Sequence, residues 1–383
     1  MEVKSDIKPL GKIRNTGADA LKAYLIFFVI FSHLISAVLQ GFRYPLEAQI
    51  VRGLSNYYFM PLFAAVAGYF FASTVRKFTS PVGFFSLRSL IVIILNKGSE
   101  LLLPVVVWNG TYSLIIHFDT LSLRNLPWVL YWGIRYQLWF LVALFVSLSM
   151  IAVIQAISRK NATVFIILAV LGAVGVHFVY VPDSYFFSWN YHVPYLFPFA
   201  VIGYLMGQTK STWLLFNRKI HVSASIAYLV LCFYAPADVS HWKTGTCLFS
   251  DTYSWQKVAY CCLYRDVLAF AGIVTMVPIL RYVWRWLERC VFAPCILLIG
   301  RNTLSIYVVQ SFVVERWIKS MGLPGNAFVN ENLWLVSWVL IPAAAVLITV
   351  AIAGTCEVLK KIPYLGTLLF GCKLSDHLPI LSK

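Results

Sequence analysis

The sequence predicts an all-α protein that crosses a membrane about ten times, and three observations predict it. Of its 383 residues, 60% are hydrophobic and only 12% charged, and the mean hydropathy is +0.77, whereas about a quarter of a soluble domain is charged. The apolar residues gather into recurrent runs of about 17 to 25, the helix length that crosses a hydrocarbon core about 30 Å thick. Finally, if both termini are cytoplasmic, 21 of the 31 Lys and Arg residues fall on the cytoplasmic side and 8 on the other, leaving Lys22 and Arg265 inside spans. That bias is what the positive-inside rule demands.

The elements follow in order. A basic segment, 1–19, stays cytoplasmic and leads into an uncleaved first span at 20–40, because no small-residue cleavage site follows the apolar run. The second span, 54–74, lies between outer Arg52 and inner Arg76 and Lys77. The stretch GFFSLRSLIVIIL, 83–95, is too short to cross and has basic neighbours, which predicts an interfacial helix lying on the bilayer. Spans at 101–118 and 137–157 run out past Lys97 and back to Arg159 and Lys160. Those at 162–181 and 191–208 return to Lys210; those at 220–236 and 257–280 begin beside Lys219 and end at Arg281. The last pair, 294–314 and 333–355, delivers the chain to Lys360 and Lys361 and a cytoplasmic tail, 356–383. One membrane domain, 20–355, thus accounts for the chain, in the cytoplasmic (inner) membrane.

Composition also excludes. The net charge of +16 is the topological bias plus attraction to anionic lipid, and no basic and aromatic interleaving points to nucleic acid. Of eight cysteines, Cys232, Cys261, Cys262, Cys295 and Cys356 fall within spans as small apolar packing residues. A disulfide of Cys247 with Cys261 or Cys262 stays open. No CxxC and no His/Cys cluster marks a metal site.

The first span, DALKAYLIFFVIFSHLISAV at 19–38, carries three ionisable residues, Asp19, Lys22 and His33. Lys22 and His33 are eleven positions apart, close to three turns, so they share a helix face about 16 Å apart. Charge inside a span is costly and normally faces a protein interior or wet cavity. The plainer alternative is a lysine snorkelling to the interface and a histidine making one interhelical hydrogen bond.

RNTGADALKAYLIFFVIFSH, beginning at Arg14, resembles the N-terminal signature of the acyltransferase-3 family of integral membrane acyltransferases: a basic residue, ten residues, then His. Lys22 stands where Arg is usual, and Arg14 and Asp19 match the upstream pattern of the fucose 4-O-acetylase-like branch. FMPLFAAVAGYFFA (59–72), QLWFLVALF (137–145), LFPFAVIGYLMG (196–207), IGRNTLSIYVVQ (299–310) and KKIPYLGTLLFG (360–371) resemble later family elements in the right order. Ala67 replaces a usual Ser, and Gln310 stands where many members have His.

The resemblance implies transfer of an acyl group, commonly acetyl from acetyl-CoA as co-substrate, to a hydroxyl of a saccharide. Imidazole exchanges a proton near neutrality, which makes His33 the expected general base, with Asp19 orienting Lys22. A phosphate-bearing donor arriving from the cytoplasm needs cations at that face, and Lys22 is expected there, with Arg14, Arg88, Lys97 and Arg301 as secondary candidates. Arg265, matching an arginine frequent in this part of the family, is expected to stabilise charge on the thioester carbonyl oxygen or to orient the acceptor. Trp139 and Tyr136 are candidates to stack on a sugar, and Gln310 to contact substrate. His117, His177 and His192 lie near outer span ends as lesser candidates. A second class stays open, an exporter of polysaccharide or lipid-linked sugar, which should show broken helices at corresponding places in two halves.

Overall fold

The computed structural model describes residues 15–39, 57–78, 86–116, 122, 124, 138–159, 161–178, 192–210, 213–235, 254–323, 326–362 and 364–372. Among these every regular element is helical. In order they are α1 (Thr16–Val38), α2 (Phe59–Phe78), α3 (Leu87–Ile116), α4 (Trp139–Ser158), α5 (Ala162–Gly175), α6 (Val193–Thr209), α7 (Arg218–Phe233), α8 (Trp255–Leu287), α9 (Ala293–Arg301), α10 (Thr303–Phe312), α11 (Ile341–Leu359) and α12 (Leu365–Phe370). A π-helical stretch, Val313–Ile318, continues α10, and short helical pieces ending in a second, Val336–Leu340, lead into α11.

Among the described residues six helices are long and apolar enough to span a bilayer: α1, α2, α3, α4, α8 and Leu333–Leu359, which contains α11. A seventh span arises if α9 and the α10 segment, bent by 76° at Asn302, count as one. The other three expected positions hold α5, α6 and α7, of 14, 17 and 16 residues. Helix length among the described residues thus supports six to seven spans and leaves the count of about ten unconfirmed. α5 turns Ile166, Ile167, Val170 and Leu171 outward, and α7 does so with Ile226, Leu229 and Phe233, apolar faces suited to lipid and not to water. Of the segments expected in the cytoplasm, residues 1–14 and 373–383 lie outside the described residues, as does Cys247; the seven described cysteines form no disulfide with one another.

The separate interfacial helix expected over 83–95 is corrected by the structure. Leu87–Ile116 is one 30-residue helix that passes through the polar stretch between the two expected elements. Lys97 and Glu100, three apart, pair at 2.6 Å and neutralise each other along the helix wall. Gly98 packs against Phe145 of α4, so the helix has no reason to break there. α12 folds back onto this helix: Trp108 Nε1 donates to the Leu369 carbonyl at 2.9 Å, and Gly371 sits on the Glu100 carbonyl.

α1 is the axle of the bundle. Leu25, Ile26, Val29, Ile30, Leu34 and Ile35 are buried on several of its faces, and it packs against α2, α8, α9, α10, the first π stretch and α11. Beside it α2 and α6 lie in very close contact. A Cβ at Gly68, Gly203 or Gly207 would collide with the carbonyl oxygen of Ala200, Ala65 or Tyr69 respectively. Without a hydrophobic driving force in lipid, such small residues let helices approach closely. The glycines in FMPLFAAVAGYFFA and LFPFAVIGYLMG thus serve each other's packing.

Candidate active site

Two polar groups sit on α1, one at each end of the eleven-residue spacing. At the foot, Asn15 caps the helix by accepting the Ala18 N–H at 3.1 Å, which aligns the first turn. Asp19, favoured there by the helix dipole, takes the Lys22 ammonium at 2.8 Å. The carboxylate side chain is 6% exposed and that of Lys22 25%, so the cation is held from inside and stays reachable from outside. Its Nζ also lies 6.0 Å from the centroid of the Phe70 ring.

Higher on α1, His33 Nε2 lies 3.3 Å from Glu315 Oε1. Glu315 belongs to the π stretch, a departure from α-helix that tends to mark functional positions. Both side chains remain about one-third exposed, 37% and 30%. A carboxylate beside an imidazole, with both side chains partly exposed, is an arrangement that can orient a general base.

α10 connects this pair to α4. Phe140 and Tyr307 rings lie 5.5 Å apart. α4 starts from Leu138 in a left-handed conformation with no side-chain cap. Trp139, the candidate sugar platform, is the residue before Phe140. One of its faces stacks on His192, 3.7 Å between ring centroids. Gln310 on α10 is 1% exposed, and its Oε1 has no hydrogen-bond partner among the described residues. Just past Glu315, the Arg316 guanidinium stacks on Tyr112 and Phe312.

Arg265 belongs to a different group. Buried in α8, it lies 4.5 Å from the centroid of the Tyr195 ring, with Nη2 4.0 Å from Cys262 Sγ. Cys262 in turn lies 3.7 Å from His177 Nδ1, and the Tyr195 hydroxyl donates to the Tyr57 carbonyl at 2.9 Å. Among the remaining candidates, Lys97 is paired with Glu100, Arg88 is exposed at the start of α3, and Arg301 is exposed at the α9–α10 break. Arg14, Tyr136 and His117 lie outside the described residues.

Three residues that sequence reasoning passed over complete the picture. Glu315 lies one position beyond a span drawn to end at 314; an acid so close to an apolar run was the signal for it. Asn302, at the break, donates through Nδ2 to Glu357 Oε2 at 2.8 Å and to the Leu298 carbonyl at 3.0 Å. Lys360 Nζ donates to its Oδ1 at 2.7 Å. The break is pressed against the foot of α1, for Gly300 packs on the Asp19 backbone. No group of three or more His, Cys, Asp or Glu side chains placed to hold a metal occurs among the described residues.

Comparison with curated proteins and with solved structures found no match. A sequence profile described as an acyltransferase domain, however, matches residues 15–355, which take in Asp19, Lys22, His33, Arg265, Gln310 and Glu315. With nearly its whole length covered, the chain belongs to the acyltransferase-3 family of integral membrane acyltransferases.

Proposed function

We propose that the protein moves an acyl group, acetyl by preference, from acyl-CoA to a hydroxyl of a saccharide, with His33 as general base oriented by Glu315. The observation that carries this reading is the 3.3 Å approach of His33 Nε2 to Glu315 Oε1. A carboxylate at Nε2 favours the tautomer with its proton on that nitrogen, leaving Nδ1 as the atom that accepts a proton. The acceptor hydroxyl attacks the thioester carbonyl; its oxygen bonds the acyl carbon as its proton passes to Nδ1. The carbon–sulfur bond then breaks, and the proton leaves with the CoA thiol. Lys22, held by Asp19 at the foot of α1, takes a donor phosphate, and Trp139 and Gln310 contact the acceptor.

The exporter reading is less well supported. Broken helices at matching places in two halves would favour it, and the described residues contain one such break, at Asn302, while α3 runs unbroken through Pro104. The deciding experiment compares surface glycans by mass spectrometry in cells with and without the gene, alongside release of free CoA by the purified protein. Loss of one acyl group per glycan, with CoA release that depends on His33, is the expected result. Glycans lost from the surface with their acyl groups intact would favour export.

A further inference from the structure

We propose that Lys360 is the second cation of the donor-phosphate site, held beside Lys22 by Asn302 at the break between α9 and α10. The inference rests on the acyl-CoA reading above and adds to it a residue some 340 positions away in the chain.

Lys360 follows the last residue of α11 and is half-buried. Its ammonium has three N–H groups, one of which is given to Asn302 Oδ1 at 2.7 Å. The amide has no freedom to turn, because its Nδ2 is committed to Glu357 Oε2 and the Leu298 carbonyl. Glu357 therefore faces the amide, and among the described residues no carboxylate comes within ion-pair distance of Lys360. The Phe370 ring, 5.7 Å away, is a further favourable contact but a weak one. Among the described residues the ammonium's hydrogen bond goes to a neutral amide, with Glu357 one group further off, so this half-buried cation is only partly compensated.

A second cation lies alongside. Gly300 rests on the Asp19 backbone, and Asp19 holds Lys22. Two residues after Gly300 the chain reaches Asn302 and, through it, Lys360. Burial is the main cause of a lowered Lys360 pKa, opposed by Cys372, Cys356 and Glu357, and Lys22 adds a last, smaller lowering. Asp19 pairs with Lys22 and Glu357 lies behind Asn302, so each lysine has a carboxylate near it; the partly exposed N–H groups of the two ammoniums are what an anion can still engage. Acyl-CoA carries its phosphates on the nucleotide end, far from its thioester, and that end is the ligand these groups fit. Arg301 and Lys361, both exposed next to Asn302 and Lys360, reinforce the field.

A lysine that only clamps the bend would act equally on every donor, so the test compares donors that differ in phosphate. Full-length protein in detergent is assayed with acetyl-CoA and with S-acetyl-pantetheine, which has the same thioester and arm without the phosphorylated nucleotide. Lys360→Met should raise KM for acetyl-CoA about tenfold, in line with loss of one charge-assisted contact, and leave kcat and the pantetheine reaction unchanged. Lys360→Arg should restore most of the loss. If Lys360→Met does not accumulate, Lys360→Gln, which keeps a donor for Asn302, carries the same comparison. Equal losses with both donors, or no loss with either, overturn the proposal while leaving the acyl-CoA reading standing. Wild-type protein that turns over neither donor would overturn that reading and this inference together.

Discussion

Replacing Glu315 by Gln removes one negative charge and almost nothing else, since the side chains match in size and the amide oxygen still accepts a hydrogen bond from His33. When the base takes the acceptor's proton, the imidazole becomes a cation with Glu315 Oε1 3.3 Å from Nε2. Coulomb's law at that distance gives about 5 kcal/mol at an effective dielectric of about 20 and about 1.3 kcal/mol in bulk water. With His33 37% and Glu315 30% exposed, water screens the pair and the lower figure is the better guide, so about 1–2 kcal/mol of transition-state stabilisation is at stake. At about 1.4 kcal/mol per factor of ten, Glu315→Gln should lower kcat by about tenfold with KM for acyl-CoA unchanged. Glu315→Ala, which also frees the imidazole to rotate, should lose about tenfold more. His33→Gln, which keeps bulk and polarity without basicity, should lose on the order of 10² to 10⁴-fold. The assay is release of CoA thiol in the presence of the acceptor, at matched amounts of purified protein. A Glu315→Gln enzyme as fast as wild type, beside an inactive His33→Gln, would refute the orienting role of Glu315.

Lys22→Ala should raise KM for acyl-CoA about tenfold, Lys22→Arg should keep most of the affinity, and the loss should shrink as salt rises because exposed charge is screened; unchanged donor affinity in Lys22→Ala, measured by calorimetry, assigns Lys22 to snorkelling. Since Lys22 and Glu315 act at points about 16 Å apart along α1, their effects on kcat/KM should add within about 0.5 kcal/mol in a double-mutant cycle. Coupling above about 1 kcal/mol would mean that they share one contact. Gly203→Ala should destabilise the protein by about 1–3 kcal/mol, because the new methyl group meets the Ala65 carbonyl; an unaltered thermal unfolding midpoint in detergent would contradict the α2–α6 contact. Reporter tags at residues 3 and 381 should both report cytoplasm, and opposite sides would refute the charge-derived topology.

How much was legible in the sequence depended on whether a feature was local. The helices were legible because burial in lipid forces the backbone to satisfy itself within each segment, and apolar length is a local property. Lys22 and His33 were legible for the same reason, as ionisable groups inside an apolar run. The spans at 294–314 and 101–118 were harder. In the first, a 76° bend at Asn302 is set by contacts with Glu357 and Lys360 more than fifty residues downstream, and the π stretch carries the helix to Ile318, past the Glu315 that partners His33. In the second, charge near Lys97 marks a break only if unpaired, and Glu100 pairs it. The α2–α6 motifs were recognisable as a pattern, yet their glycines acquire a reason only when the helices are placed together. Arg265 was legible as a buried charge but not as a member of the group around Tyr195 and Cys262, which is assembled from helices far apart in the chain.

The two ends of the site are held in register by a second segment running beside α1. Gly300 touches Asp19, and Glu315 reaches His33, so fifteen residues on one segment match fourteen on the other. Two straight helices with such spacing would rise together by about 21–22 Å; the bend at Asn302 turns the first residues aside, and the π stretch adjusts the last ones so that Glu315 meets the imidazole. Acyl-CoA has the complementary form, a charged nucleotide joined to the thioester by a long uncharged arm. On the proposed reading, a foot that takes phosphate and a pair that takes up a proton, set apart by the rise of eleven residues, suit a donor that must be gripped at one end and attacked at the other.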